Sequence, residues 1–159
     1  MDVNGFKGPN SEARNGKQYD IRSFKVAKFS KGCAGNDISG VGCVYQLSSF
    51  SPIKAGSDEM DKYDPKWNKT SWKGNDNYWA GAKKACDDIG MSLPDKSKLE
   101  SLAKKTTAEK EQLGLPTNGW FWSSSENIDT LVYTVLFYNG NAANANKGYS
   151  DKKVLCVGD

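Results

Sequence analysis

Residues 77–94 read NYWAGAKKACDDIGMSLP, and this stretch carries the strongest structural signal in the chain. Its apolar residues recur every three or four positions, which predicts a helix over about residues 77–89 with one face in the core. Either Asp76 or Asn77 can cap the first turn, and Gly90 can end the helix. The face expected in the core consists of Trp79, Ala82, Cys86 and Ile89.

The segments on both sides of this helix predict an α+β domain. After it, Asp95 can cap a second helix, and residues 107–113 form a short third helix that stops at Gly114. Alternating apolar residues predict strands nearer the two chain ends. This order predicts two or three short helices and a mostly antiparallel sheet that joins the two ends of the chain. The predicted strands cover residues 19–29, 41–50, 120–124, 131–138 and 153–157.

A chain of 159 residues fits one compact domain. Residues 1–50 supply N-terminal strands and, over residues 30–42, a loop rich in glycine and cysteine. Residues 51–75 are polar and have no clear period, which predicts a long surface loop or a short hairpin. Residues 76–159 form the core of the domain.

The charge pattern argues against nucleic-acid and membrane partners. The chain has 22 Lys and Arg against 19 Asp and Glu, and the formal net charge is +3. Basic and acidic residues are interspersed, so the basic stripe of a nucleic-acid binder is missing. No apolar run approaches the length of a membrane span. The sequence therefore predicts binding neither to nucleic acid nor to membrane.

The four cysteines predict two disulfides. The chain has no Cys-x-x-Cys pair and no histidine, which argues against a structural metal site. We expect Cys33 to pair with Cys43 across a glycine-rich loop, and Cys86 to pair with Cys156, tying the long helix to the last strand. Two disulfides indicate an oxidising, extracytoplasmic compartment. Four reduced thiols in a cytosolic protein are the alternative.

Several separate motifs over about residues 76–159 resemble bacterial C-type-lectin-like domains. The resemblance is to the formylglycine-generating-enzyme type of this fold, as used in the variable proteins of diversity-generating retroelements such as phage tropism determinants. It implies a C-type-lectin-like fold that binds a ligand. The motifs are Trp79-x-x-Ala82-x-x-x-Cys86-x-x-x-Gly90-Met91-x-Leu93-Pro94, Leu99 with Leu102, Phe121-Trp122-Ser123-Ser124-Ser125-Glu126, Phe137-x-x-Gly140, Lys147, and Val154-Leu155-Cys156-Val157.

The start of the chain resembles a different group. Residues 2–5, 8–10 and 16–20 are similar to the head region of bacterial pilin-like proteins. This resemblance implies a hydrophobic helix upstream, absent from this sequence, and an extracellular or cell-surface location. The partners implied are an unknown protein or glycan ligand on a cell or phage surface, and other pilin subunits.

No catalytic residue, cofactor or metal is predicted. The enzyme branch of the resembled fold uses a cysteine pair, whereas every cysteine here has a predicted structural partner. The segment 122–126 offers three serines, but without histidine there is no base to activate them, so they are expected to satisfy backbone groups. Four acidic residues are expected to form a solvated loop, with calcium binding as the alternative. They are Asp58, Glu59, Asp61 and Asp64.

The composition of residues 127–151 is unusual. In retroelement-diversified proteins, template adenines are miscopied, so Asn codons scatter into a class that excludes Lys, Glu, Gln, Trp and Met. These five types make up about a quarter of the chain, yet Lys147 is the only one among these 25 residues. The stretch is also rich in Asn, Ala and Tyr, which predicts a diversified binding surface. A strand and an Asn-rich turn that happen to lack charge are the alternative.

Strand alternation assigns faces within this stretch. If Val135 and Phe137 point inward, then Thr134, Leu136 and Tyr138 point outward. Tyrosine supplies contact area at low entropy cost, and Asn, Ser and Asp supply adaptable hydrogen bonds, as in antibody paratopes. The residues predicted to contact ligand are Asn127, Ile128, Asp129, Thr130, Thr134, Leu136, Tyr138, Ala142, Asn144, Asn146, Tyr149, Ser150 and Asp151.

The function predicted is that of a surface-displayed receptor or adhesin whose C-terminal region is diversified. The alternative is a fixed minor pilin or pseudopilin with a structural or assembly role. The first predicts diversity among codons 127–151, whereas the second predicts a fixed gene and self-association.

Overall fold

The protein has a mixed α+β fold, as predicted. A computed structural model describes residues 33–158, and over these residues it contains four α-helices and two three-stranded antiparallel sheets. The strand predicted over residues 19–29 and the pilin-like segments lie outside the described residues. The elements in chain order are β1 (Asn36–Ile38), β2 (Gly42–Gln46), α1 (Asp58–Tyr63), a 3-10 helix (Pro65–Lys69), α2 (Tyr78–Asp88), α3 (Lys96–Ala103), α4 (Thr107–Gln112), β3 (Trp120–Ile128), β4 (Leu131–Leu136), β5 (Ala142–Asn146) and β6 (Leu155–Gly158).

The first sheet joins an early part of the chain to the last strand. Its order is β1-β2-β6, and Val44 of β2 lies opposite Val157 of β6. The predicted pairing between early and late strands is therefore confirmed. The prediction of one sheet is wrong, because β3, β4 and β5 form a second sheet in that order. The predicted loop over residues 30–42 is also wrong in part, since β1 lies within it and forms a hairpin with β2.

The three helices predicted from capping and periodicity are all present. Asn77 caps α2 by accepting a hydrogen bond from the Ala80 amide at 2.8 Å, and Gly90 follows the helix with a φ of +75°. The prediction that Ile89 lies in the core is wrong, because it is 47% exposed. Ile89 is the C-cap, where the backbone leaves the helical conformation and the side chain leaves the buried face.

Residues 51–75 do not form a surface loop or hairpin, which corrects the prediction. They contain α1 and the 3-10 helix, and they bury Met60 and Trp67 completely. Both side chains belong to a small apolar cluster with Ile53 and with Ala80 of α2. The indole of Trp67 also donates a hydrogen bond to the carbonyl of Asn75 at 3.0 Å. Two helices of one or two turns are too short to show a period in the sequence.

The second sheet lies between two larger apolar clusters. On one face, Phe121 and Val135 pack with Leu99 and Leu102 of α3. On the other face, Trp122, Val132 and Ala145 pack with Trp79 and Cys86 of α2. Because side chains alternate along a strand, residues on both faces of β4 are buried.

Two disulfides are present, as predicted. Cys86 of α2 is bonded to Cys156 of β6, 70 residues apart. Cys33 and Cys43 are also disulfide-bonded, and no cysteine of the described residues is free. Among these residues, none of the helices is long and apolar enough to cross a membrane.

Candidate functional site

Most of the predicted ligand-contact residues lie at the two ends of β4. The first group lies at the turn from β3 to β4, where Ile128 is paired with Leu131, and on the neighbouring strand β5. The second group lies around the end of β4, where the Leu136 amide donates a hydrogen bond to the Asn141 carbonyl at 2.8 Å. β4 has six residues, which is about 20 Å at strand spacing. The structure therefore divides the predicted surface into two separate patches.

We call the first patch the 128 end; it comprises Asn127, Ile128, Asp129, Thr130 and Asn144. All of these residues are exposed except Thr130, which is half-buried. Ile128 is 55% exposed although it is a large apolar residue. The side-chain amide of Asn127 donates a hydrogen bond to the side-chain oxygen of Asn144 at 3.0 Å, so β3 and β5 both contribute to this patch.

We call the second patch the 138 end; it comprises Leu136, Tyr138 and Ala142. Tyr138 is 68% exposed, and Leu136 and Ala142 are half-buried. Val135 and Phe137 are fully buried, which meets the condition from which the outward orientation of Tyr138 was predicted. The outward orientation predicted for Tyr138 is therefore confirmed.

Two predicted contact residues are buried. The prediction that Thr134 points outward to solvent is wrong, because the residue is 1% exposed and its hydroxyl donates to the Ala143 carbonyl at 3.0 Å. The apolar cluster around Trp122 covers this face of β4, and alternation alone gives no sign of a second core. Asn146 is 7% exposed, and its side-chain oxygen accepts from the Gly148 amide at 2.8 Å. Both residues are held by bonds within the protein, so neither is available as a surface contact.

The remaining three predicted residues lie beyond β5 and outside both patches. Tyr149, Ser150 and Asp151 are exposed. The ammonium of Lys152 lies 5.9 Å from the centre of the Tyr149 ring and 5.8 Å from that of Trp120. The segment from 149 onwards therefore leads away from the 128 end towards the start of β3.

The sequence did not predict strand β5, and for this reason it missed exposed positions there. Ala143 is exposed, whereas Ala145 on the same strand is buried. Asn139 and Asn141 are exposed in the turn before β5. Asn and Ala have low strand propensity, so the sequence gives no local signal for this strand. It forms because it pairs with β4, which only the structure shows.

A buried ionic cluster lies beneath the 128 end, and the sequence did not predict it. We call it the Lys147 cluster; it comprises Lys147, Asp64, Glu126, Lys66 and Asn77. The Lys147 ammonium lies 3.0 Å from Asp64 Oδ2 and 3.1 Å from Glu126 Oε1. The side chains of Lys147 and Asp64 are 0% and 1% exposed. The prediction that Asp64 belongs to a solvated acidic loop is therefore wrong.

The outer members of the cluster hold its acidic groups in place. The Lys66 ammonium pairs with the Glu126 carboxylate at 2.8 Å, and the side-chain amide of Asn77 donates a hydrogen bond to Asp64 Oδ2 at 2.8 Å. Partial burial opposes the ionisation of Glu126, but hydrogen bonds from Lys66 and Lys147 hold its pKa below the usual value. Glu126 is therefore a carboxylate at neutral pH.

The indole ring of Trp79 packs against one side of the Lys147 cluster. The ammonium groups of Lys147 and Lys83 lie 4.5 and 4.2 Å from the centre of the Trp79 ring. The Lys83 ammonium donates a hydrogen bond to the Tyr63 carbonyl, and burial lowers the pKa of Lys83. The backbone carbonyl of Lys147 accepts from the amides of Tyr78 and Trp79, at the first turn of α2. Lys147 therefore links β5, α2 and the 3-10 helix region.

A second buried lysine lies beneath the 138 end. Lys110 of α4 is 1% exposed, and its ammonium donates to the carbonyls of Ala103 and Phe137. Ala103 is the last residue of α3, and Phe137 follows β4 directly. This lysine joins the end of a helix to the end of a strand.

Two of the three serines after Trp122 bind backbone groups with their hydroxyls, as expected. Ser123 Oγ donates to the Tyr133 carbonyl at 2.7 Å and accepts from the Ser125 amide. Ser125 Oγ accepts from the Lys96 amide at the start of α3. Among residues 33–158, no group of three or more His, Cys, Asp or Glu side chains could hold a metal ion.

A groove of about 390 Å³ runs between residues 47–53 and α2. It is lined by Phe50, Pro52, Lys84 and Asp88, among others, and includes no residue of either patch.

The described residues form an α+β domain. Its two exposed patches lie at the ends of β4, in a sheet that is covered by apolar clusters on both faces. The family described as "Domain of unknown function (DUF8780)" matches residues 67–158, more than half of the chain, and the chain belongs to this family. No curated protein matches the chain. The matched residues include both ends of β4 and Lys147.

Proposed function

We propose that this protein is a cell-surface or extracellular ligand-binding domain of C-type-lectin-like fold, diversified by a retroelement over residues 127–151. The observation that carries the proposal is the exposure of Ile128, Tyr138 and Tyr149. They are three of the five large hydrophobic side chains exposed among the described residues. Exposed aromatic and aliphatic side chains beside polar ones are typical of recognition surfaces.

The buried positions in the same stretch support this proposal. Lys147 is the one residue there that falls outside the codon class produced by adenine mutagenesis, and it is fully buried and ion-paired. A diversified surface requires exposed positions that vary and buried positions that do not. Glu126, which binds Lys147, lies immediately before the stretch.

The 128 end is the better candidate for the main contact surface. It combines Ile128 with the paired side chains of Asn127 and Asn144, so substitutions on β3 and β5 change one continuous patch. Exchanging these side chains changes no core contact, because all three are exposed. The ligand is a protein or glycan on a cell or phage surface.

The disulfides agree with an extracytoplasmic location. Two bridges form and persist in oxidising compartments and are rare in the cytosol. On this proposal the chain recognises a ligand at equilibrium and turns over no substrate.

The decisive experiment is to sequence the gene neighbourhood. The expected result is a reverse-transcriptase gene and a near-repeat of codons 120–159 whose mismatches are confined to template adenines. The mismatched codons should encode the exposed residues, such as Asn127, Ile128 and Asn144, and should spare Lys147. A neighbourhood without a repeat would favour a fixed adhesin or a minor pilin, and self-association measured by analytical ultracentrifugation would separate those two.

A further inference from the structure

The Lys147 cluster places an amine against a carboxyl group in the interior. Lys147 Nζ lies 3.0 Å from Asp64 Oδ2, and both side chains are almost fully buried. The two oxygens of Asp64 have different surroundings. Oδ2 accepts hydrogen bonds from Lys147 and the side-chain amide of Asn77, whereas Oδ1 is buried and has no hydrogen-bond partner among residues 33–158. An unpartnered carboxylate oxygen in the interior is unfavourable, so one oxygen of Asp64 is poorly accommodated.

This contact also places the two functional groups of an amide side by side. A proton passed from an ammonium to a carboxylate in contact with it gives an amine and a carboxylic acid. These neutral species are the reactants of amide formation. Because the fold holds them in contact, the reaction needs no encounter step.

We infer that Lys147 and Asp64 condense to form an intramolecular isopeptide bond. The nitrogen lone pair of Lys147 attacks Cγ of Asp64, and the new C–N bond replaces the bond between Cγ and Oδ1. Nζ loses two protons as the ammonium becomes an amide nitrogen, and Oδ1 takes both and leaves as water. Oδ2 stays as the amide carbonyl. No oxidant, reductant or further reactant is required.

Glu126 is placed to transfer protons in this reaction. Its Oε1 is 3.1 Å from Lys147 Nζ, so it can take a proton from the nitrogen as the C–N bond forms. Lys66, at 2.8 Å from the same oxygen, stabilises Glu126 as a carboxylate. The Asn77 amide donates to Oδ2 and polarises the carbonyl that is attacked.

The product leaves no buried charge unpaired. Condensation removes one positive and one negative charge together, and the pair between Lys66 and Glu126 remains. The amide N–H can donate to Glu126, and the carbonyl keeps its bond from Asn77. The bond would join residue 64 to residue 147, whose backbone amide donates to Thr130 at the 128 end. It would therefore fix the 128 end covalently to the segment containing α1.

Intact-mass spectrometry of the full chain, reduced and denatured, tests the bond directly. The expected mass is one water below the mass of the sequence, and a protease digest should give a branched peptide joining Asp64 to Lys147. A chain with the full sequence mass would overturn the inference. Loss of ammonia would also overturn it, because the acyl donor would then be Asn77.

Two variants test the role of Glu126. Glu126→Gln should retain the full sequence mass, and Glu126→Asp should restore at least part of the water loss. Lys83→Met is the matched control, since this lysine also contacts Trp79 but bonds to the Tyr63 carbonyl. It should lose one water as completely as the wild type. Near-ultraviolet circular dichroism checks that each variant is folded. Water loss in Glu126→Gln at the wild-type extent would overturn the proton-transfer role.

Discussion

A buried lysine lies beneath each end of β4, but the two ammonium groups are stabilised by different kinds of partner. At the 138 end, the Lys110 ammonium donates hydrogen bonds to the backbone carbonyls of Ala103 and Phe137. At the 128 end, Lys147 lies between the carboxylates of Asp64 and Glu126. The partners of Lys147 come from segments 83 and 21 residues away along the chain.

The difference follows from what each position offers. The last carbonyls of a helix lack amide partners and carry partial negative charge, so the end of α3 can hold a cation without a carboxylate. The region around Lys147 has the opposite polarity, because its own carbonyl already accepts from the first turn of α2. A cation near the positive end of a helix needs full negative charges, and Asp64 and Glu126 supply them. The 138 end is therefore held by local backbone groups and the 128 end by distant charged ones.

The largest effect is expected from Lys147→Met. This change leaves Asp64 buried without its partner and also prevents the isopeptide bond; breaking a buried ion pair alone costs about 3 to 5 kcal/mol of unfolding free energy. Urea denaturation followed by tryptophan fluorescence measures the loss. Adding Asp64→Asn to this variant should recover part of it, because the unpaired charge is then removed as well. A loss below about 1 kcal/mol would show that the pair behaves like an exposed one.

A smaller effect is expected from Lys110→Met. The substitution nearly preserves side-chain volume and leaves two buried carbonyls without a donor, which costs about 1 to 3 kcal/mol. The same denaturation experiment places the two variants on one scale. If Lys110→Met is as destabilising as Lys147→Met, the distinction between carbonyl and carboxylate partners is wrong.

Acid should weaken the 128 end before the 138 end. Because the folded pKa of Glu126 lies below its unfolded value of about 4.3, its stabilisation is complete above that value and is lost as pH falls through the folded pKa. The effect is at most about 1 kcal/mol, since solvent screens this partly exposed carboxylate. Unfolding free energies measured from neutral pH downwards should fall less steeply for Glu126→Gln than for the wild type.

Lys110→Met is the control for this measurement, because the bonds of Lys110 involve no carboxylate. It should keep the acid dependence of the wild type. Equal acid dependence of Glu126→Gln and the wild type would contradict the assignment of this effect to Glu126.

The smallest effects on stability are expected at the exposed tips of the two ends. Ile128→Ser and Tyr138→Ser should each change the unfolding free energy by less than about 0.5 kcal/mol, because neither side chain packs into the core. Thr134→Ser is the matched buried control and should cost more, since it removes a methyl group from a packed site. A larger loss for Ile128→Ser than for Thr134→Ser would show that Ile128 is structural and weaken its assignment to the binding surface.

The sequence predicted the parts of the fold that depend on neighbouring residues. Helix α2 with its Asn77 cap and the helix after Asp95 rest on bonds within a few positions, which the sequence displays directly. The outward position of Tyr138 follows from alternation within one strand. The α+β class follows from the order of such local signals. Both cysteine pairings were also predicted, because four cysteines allow few arrangements.

The candidate site depended on contacts that no local pattern contains. Whether Thr134 is exposed depends on a second apolar cluster that covers the opposite face of β4. Strand β5 has few good strand-forming residues and is stabilised by its pairing with β4. The two patches of the predicted surface are separated because the chain turns at each end of β4.

The sequence by itself determined part of the local structure of this protein: where three of its helices begin and the outward position of Tyr138. Only the tertiary structure decided the chemistry of the interior. The sequence predicted Asp64 to be a solvated acidic residue, and it showed Lys147 only as the one residue of 127–151 outside the diversified codon class. The fold brings the charged groups of these two residues to 3.0 Å from each other. The reason is that helix capping and strand alternation act over a few residues, whereas the burial and pairing of charges depend on segments that meet only after folding.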